Sequence, residues 1–351
     1  MDISKIDKNF VVETTLNLPD VKFFDPHEEP FKIYGLADTH AFESFRRMPK
    51  EIAEATSTGV ADLNYCCAGG RVCFKTDSPY IAIKAIRWGL YHTSKSTQAN
   101  NSGFDLYVKN EDGTSSYINS YIPPENLQEE YESVIYVSGK MSDYTINFPN
   151  YGKVDRLYIG VKEGSQILPT DGYRDILPVV YYGSSITQGG CASRPGTSYQ
   201  GLVSHRLNLD FINLGFSGNA CGEQVMADYI AGLDMSVFVC DYDHNAPSDE
   251  HLAATHSNFV ATVRKAHPNI PIICMPRPGS GDDWERNKII RKTVDDAIAA
   301  GDKNIFYISG TELVAPDMPS ECTVDACHPT DLGFYFMAKA VEKRLREVLD
   351  L

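Results

Sequence analysis

Two folds are predicted in this chain: an all-β sandwich or jelly roll over residues 1–165, and a doubly wound α/β domain over 178–351, joined by a linker at 166–177. Three observations carry the prediction. Up to about residue 165 apolar residues recur with period two, the mark of half-buried strands. From Pro178 onward, short runs that are apolar on both faces alternate with amphipathic helical stretches, which implies parallel strands covered by helices on both sides. Between them "EGSQILPTDGYRDIL" (163–177) carries the Gly and Pro of a junction.

In chain order, "AFESFRRMPKEIAEA" (41–55) reads as a short helix. "YIAIKAIRW" (80–88), "YTINF" (144–148) and "LYIGV" (157–161) alternate as antiparallel strands do, with turns such as "NEDG" (110–113) between them. The second half supplies five strand-like runs, "PVVYYG" (178–183), "FINLG" (211–215), "SVFVCDYD" (236–243), "IPIICMP" (270–276) and "NIFYIS" (304–309). Helix 283–300 spaces Ile290, Val294 and Ile298 four apart and ends at Gly301. The last helix, 330–348, aligns Phe334, Met337, Val341, Leu345 and Val348, with Pro329 just ahead of its first turn.

Composition narrows the function. The chain has 351 residues, 42% hydrophobic and 23% charged, enough for two domains with real cores. Its net charge of −15, with no long Lys/Arg block, argues against a nucleic-acid partner by simple repulsion. No run approaches the ~18 apolar residues of a membrane span, and "MDISKIDKNFVVE" lacks the apolar segment of a secretory signal, so neither a membrane nor export is expected. Nine cysteines, among them Cys240 and Cys274 inside strand runs, fit reduced buried thiols and hence the cytoplasm. A zinc reading of Cys322, Cys327 and His328 in "CTVDACH" is set aside because the spacing matches no paired Cys motif; no metal or cofactor is expected.

In an open parallel sheet the ligand site lies beyond the C-terminal ends of the strands. Here those exits read "GSSITQGG", "NLGFSGNACG", "DYDHNAP" and "MPRPGSGDDW", and "VDACHP" precedes the last helix. Together they hold the inventory of acyl transfer. A serine needs a base to take its proton, and a histidine needs a partner to fix its tautomer. Asp325 and His328, three apart, can meet on one turn. An oxyanion needs preorganised donors, which the backbone of Gly218 and the carboxamide of Asn245 can supply. The common G-x-S-x-G elbow fails at its fifth position, Thr187, so an ordinary α/β-hydrolase is not expected.

These blocks resemble the SGNH (GDSL-like) hydrolase family. Its first block, usually Gly-Asp-Ser, is Gly183-Ser184-Ser185, which implies Ser185 as nucleophile and oxyanion donor; the second falls on Gly218 and the third on Asn245. Its last block, Asp-x-x-His, is Asp325 and His328. Ser184 stands where the family has Asp, and the third block lacks the usual Gly before its Asn. "SGFDLYV" (102–108) resembles the GxDLY signature of a β-sandwich that precedes such domains in some carbohydrate-active esterases. The resemblance implies a flavodoxin-like, five-stranded catalytic domain and ester hydrolysis, with an acetylated mono- or oligosaccharide as substrate.

Two further residues are candidates for binding it, Arg277 and Trp284 of "PRPGSGDDWER", since an indole packs well on a pyranose face. His244, next to Asn245, reads as a supporting or surface residue. Three alternatives stay open: hydrolysis of aryl or short-acyl esters, a flavin-phosphate site in "SSITQGG", and a non-catalytic carbohydrate-binding protein. A flavin protein would be coloured, and a non-catalytic one would not label with a fluorophosphonate.

Overall fold

The computed structural model describes residues 14–40, 43–126 and 129–351, and the chain divides into two compact units. The first takes the chain up to Arg47, Tyr65–Tyr173 and Arg194–Gly196; the second takes Met48–Asn64, Arg174–Ser193 and Thr197–Leu351.

Within the first unit the strands are β1 (Val21–Phe24), β2 (Lys32–Tyr34), β3 (Arg71–Thr76), β4 (Tyr80–Arg87), β5 (Phe104–Lys109), β6 (Ser115–Tyr121), β7 (Glu130–Tyr136), β8 (Ser142–Asn147), β9 (Val154–Lys162) and β10 (Ile167–Leu168). One sheet runs β1-β9-β4-β7 and the other β10-β3-β8-β5-β6 with β2 also on β3. Every pairing is antiparallel. The core lies between the sheets: Ile81, Ile83 and Ala85 of β4 alternate inward with Leu157 and Ile159 of β9, against Val72 and Phe74 of β3, Leu106 of β5 and Ile146 of β8. Burying each of these side chains other than Ala85 is worth about 1.5–3 kcal/mol.

The second unit continues with β11 (Val179–Gly183), β12 (Phe211–Gly215), β13 (Val237–Asp241), β14 (Ile272–Cys274) and β15 (Ile305–Tyr307), all parallel, in the order β12-β11-β13-β14-β15. Two-sided burial explains the unbroken apolar runs. Val180 and Tyr182 of β11 enter one core, with Met226, Phe259 and Ile290 of the helices Gln224–Ala231, Asp249–Ala266 and Glu285–Ala299. Val179 and Tyr181 enter the other, with Val203 of helix Tyr199–Leu207 and Phe334, Met337, Val341 and Leu345 of helix Asp331–Val348. Among the described residues no helix is long and apolar enough to cross a membrane.

Three boundaries differ from the sequence prediction. The expected helix at 41–55 begins only at Lys50, because Pro49 cannot sit inside a helix; it runs to Thr56 and is followed by Thr58–Leu63. Ala41 and Phe42 lie outside the described residues, as do residues 1–13 of the expected sandwich. Met48, Ala53 and Val60 of this segment are buried in the core of the second unit, not in the sandwich. The expected linker at 166–177 is partly strand, since β10 pairs with β3 and the first unit reaches Tyr173. Arg194–Gly196, expected in the α/β domain, belong to the first unit: Gly196 N–H donates to Oδ2 of Asp105, in the GxDLY-like segment, at 2.8 Å.

Candidate active site

The first candidate stands where β11 ends. Gly183 is required there, because a Cβ would fall 1.6 Å from Asp241 Oδ1 and 2.1 Å from Thr187 Oγ1. Ser184 is extended, and its Oγ accepts from Ile186 N–H at 3.1 Å, capping the helical turn Ser185–Gln188. Ser185 opens that turn, which closes at Gly189 with φ of 93°. So the two adjacent hydroxyls divide the work. One holds the turn, and the other is presented from it.

Ser185 Oγ lies 2.9 Å from His328 Nε2. On the other side of the ring, His328 Nδ1 lies 2.9 Å from Asp325 Oδ2. Asp325 Oδ1 also accepts the backbone N–H groups of Cys327 and His328, at 3.2 and 2.8 Å, which fixes the carboxylate against its own turn. Ala326 takes a positive φ of 63° to make that turn, and Val324 N–H closes it on His328 O at 2.8 Å. Three residues contributed by the two ends of the unit thus form one proton path, Asp to His to Ser.

The expected oxyanion donors leave adjacent strands at one level. Gly183 pairs with Gly215 of β12 and with Asp241 of β13, so the loops carrying Ser185, Gly218 and Asn245 start side by side. Gly218 has φ of 70° and open space where a side chain would stand. Asn245 ends the short helical turn Asp243–Asn245, and its buried Oδ1 has no hydrogen-bond partner among the described residues. A carboxamide left incomplete in this way can be completed by a ligand.

Behind the loops lies a network in which sequence reasoning had assigned no roles. Asp241 is buried, with the Thr187 hydroxyl on Oδ1 and the Tyr199 O–H donating to Oδ2 at 3.0 Å; burial pushes its carboxyl up to about 8, so it is mostly protonated at neutral pH. Gln188 Oε1 accepts from Ser217 N–H at 2.9 Å, tying the Ser185 turn to the Gly218 loop. Asn213 and Gln200 both donate to Thr187 O, at 2.7 and 2.8 Å. The available signal was polar residues inside otherwise apolar runs, Asn213 in "FINLG" and Asp241 in "VFVCDYD".

Residues 177–346 match the model of the GDSL-like lipase/acylhydrolase family, and residues 21–167 match that of the N-terminal domain of SGNH-hydrolase-type esterases, GxDLY. The chain belongs to the SGNH (GDSL-like) hydrolase family. It is similar to a candidate GDSL-like lipase of Bacteroides ovatus, 28% identical with a TM-score of 0.83 over 94% of this chain and 98% of that one. It shares its fold with a salicylyl-acyltransferase of a tetracycline biosynthetic pathway (18% identity, TM-score 0.78, 95% and 97% of the two chains). It also shares it with an acetyl xylan esterase of Butyrivibrio proteoclasticus (14%, 0.61, 94% and 99%). No curated protein matches the chain. As an SGNH hydrolase it is an ester-cleaving enzyme of the GDSL-like class.

Around the SGNH blocks stand the remaining candidates. The Arg277 guanidinium lies over the Trp284 ring, 4.4 Å from its centroid, and its buried Nε has no hydrogen-bond partner among the described residues. Arg277 N–H donates to Asp243 Oδ2 at 3.3 Å, and Trp284 is 45% exposed at the start of helix Glu285–Ala299. His244 is half-buried, its Nε2 2.9 Å from Cys327 Sγ; burial first, then the charges of Arg277 and His328, push it down to about 4, so its ring is neutral. The neutral ring thus sets Nε2 within hydrogen-bond distance of the Cys327 thiol.

Proposed function

We propose that this SGNH hydrolase is a serine esterase that removes O-acetyl groups from carbohydrates through an acyl-enzyme on Ser185. The observation that carries the proposal is the path Asp325–His328–Ser185, with 2.9 Å at each link. His328 Nε2 takes the Oγ proton as Oγ bonds to the ester carbonyl carbon. The oxyanion is met by the backbone N–H groups of Ser185 and Gly218 and by the Asn245 carboxamide. Collapse breaks the bond to the sugar oxygen, which receives the proton from His328. Water then enters by the same base, the acetyl-serine bond breaks, and acetate leaves.

Support for a sugar comes from the Arg277–Trp284 pair, a half-exposed indole with a guanidinium lying over its ring, and from the acetyl xylan esterase among the proteins of this fold. Acetate release from a panel of acetylated mono- and oligosaccharides, set beside 4-nitrophenyl acetate and longer acyl esters, tests it. Preference for an acetylated sugar supports the proposal. Turnover of aryl or longer acyl esters alone would transfer the same triad to a different substrate class. A protein that neither hydrolyses esters nor labels with a fluorophosphonate would be a binding protein.

A further inference from the structure

Cys327 lies between two triad residues in sequence, and ester hydrolysis gives it no task. Its Sγ is 2.9 Å from the Nε2 of His244, which lies 83 residues earlier in the chain. Ligand atoms of Asp325, Cys327 and His328 all lie within 4.8 Å of one another, and all three side chains are partly exposed. Cys322, the third residue of the zinc reading that the spacing in sequence argued against, takes no part: it is fully buried, and its Sγ faces Ala315 N–H at 3.3 Å and Met318 O at 3.7 Å. In its place the fold brings His244. One thiol, two imidazoles and one carboxylate are a donor set that suits a borderline-soft, tetrahedral cation. Bond lengths of about 2.3 Å to sulfur and 2.0–2.1 Å to nitrogen set neighbouring ligand atoms roughly 3.5 Å apart. Cys327 Sγ joins the two groups, 2.9 Å from His244 Nε2 and within 4.8 Å of the Asp325 and His328 ligand atoms.

We propose that Asp325, Cys327, His328 and His244 form an inhibitory site for a zinc-like divalent cation. On binding, Cys327 releases its thiol proton to solvent and coordinates as thiolate, His244 coordinates through Nε2, and the Asp325 carboxylate and His328 Nδ1 turn from each other to the metal. The proton that Nδ1 shared with Asp325 moves to Nε2, the nitrogen facing Ser185. An imidazole protonated there and metal-bound on Nδ1 cannot take the seryl proton. Thiolate and carboxylate together neutralise the cation, and the chain's net charge of −15 attracts it. The inhibitory consequence rests on the proposed esterase mechanism; binding itself does not.

The experiment has two readouts. Cobalt(II), a spectroscopic substitute for zinc, is titrated into the metal-free full chain and the near-ultraviolet thiolate-to-cobalt charge-transfer band is followed. In parallel, zinc inhibition of 4-nitrophenyl acetate hydrolysis is measured and reversed with EDTA, each variant being compared with its own metal-free rate. A stoichiometric band is expected, lost in Cys327→Ser and retained in Cys191→Ser. The half-inhibiting zinc concentration should rise at least about tenfold in Cys327→Ser and in His244→Ala, since even residues outside a coordination sphere typically cost roughly 10–100-fold in metal affinity. His244→Ala also covers the case in which Cys327→Ser does not fold. A band that survives Cys327→Ser, or zinc sensitivity unchanged in both variants, overturns the site. If no ester is hydrolysed, the esterase reading fails while the cobalt band still decides the metal site.

Discussion

The Ser184 hydroxyl accepts a hydrogen bond from Ile186 N–H, 3.1 Å away, and so caps the turn on which Ser185 meets His328. Adjacent serines should therefore respond to substitution in different ways. Ser185→Ala and His328→Ala each remove a member of a unit and should lower kcat by about 10⁴-fold or more with folding retained. Asp325→Ala should cost less, because water can partly orient the ring. Ser184→Ala should keep most of the rate and lose roughly 0.5–2 kcal/mol of stability, the worth of an N-cap. Steady-state kinetics beside thermal melts check this; an inactive Ser184→Ala with a fully active Ser185→Ala would move the nucleophile by one residue.

Asn245 has a carboxamide whose oxygen is buried without a partner among the described residues. If the amide N–H₂ meets the oxyanion, Asn245→Ala should lower kcat by roughly 10²–10³ with little change in KM, since that bond strengthens only as charge develops. Unaltered kcat in the purified variant would take Asn245 out of the hole.

Asp241 makes stability depend on pH. Its folded-state carboxyl titrates at about 8 against an ordinary 3.8, with burial as the main cause. Its contribution to stability is fully present below 3.8. Between 3.8 and 8 the unfolded chain has released this proton and the folded chain holds it, so the contribution is lost as pH rises through that window. Asp241→Asn keeps a neutral group of the same shape between Thr187 and Tyr199 and should flatten this slope. Melting temperatures from pH 5 to about 8.5, the range in which the linkage acts, should show the variant gaining on the native chain as pH rises. Parallel curves would mean that Asp241 is ionised in the fold.

Trp284 carries Arg277 over its ring and is 45% exposed. A sugar stacked on the indole is held equally in the ground and transition states, so Trp284→Ala should raise KM for an acetylated oligosaccharide and leave 4-nitrophenyl acetate nearly unchanged. A stacking contact worth about 0.5–1.5 kcal/mol corresponds to roughly three- to tenfold in KM. Equal losses on both substrates, together with a lower melting temperature, would assign the ring to seating helix Glu285–Ala299.

Local periodicity determined much of this protein. Alternation along "YIAIKAIRW" and two-sided runs such as "PVVYYG" report which faces of a strand are buried, and this distinguishes an antiparallel sandwich from a parallel sheet covered on both sides. Three of the four motif blocks are legible for a related reason: they follow the apolar runs directly, and strand ends in a parallel sheet share one rim, while the fourth, Asp325 and His328, is read from its place just ahead of the last helix. Tertiary structure decided the rest. Helix Lys50–Thr56 belongs to the second unit because its apolar residues are buried in that core, which no pattern within the segment encodes. The Asp241 carboxyl is raised because the fold buries it. His244, on the turn after β13, meets Cys327, on the turn before the last helix, a contact across 83 residues. Sequence period records what each residue buries locally; which distant residues share that burial is set by strand order and register.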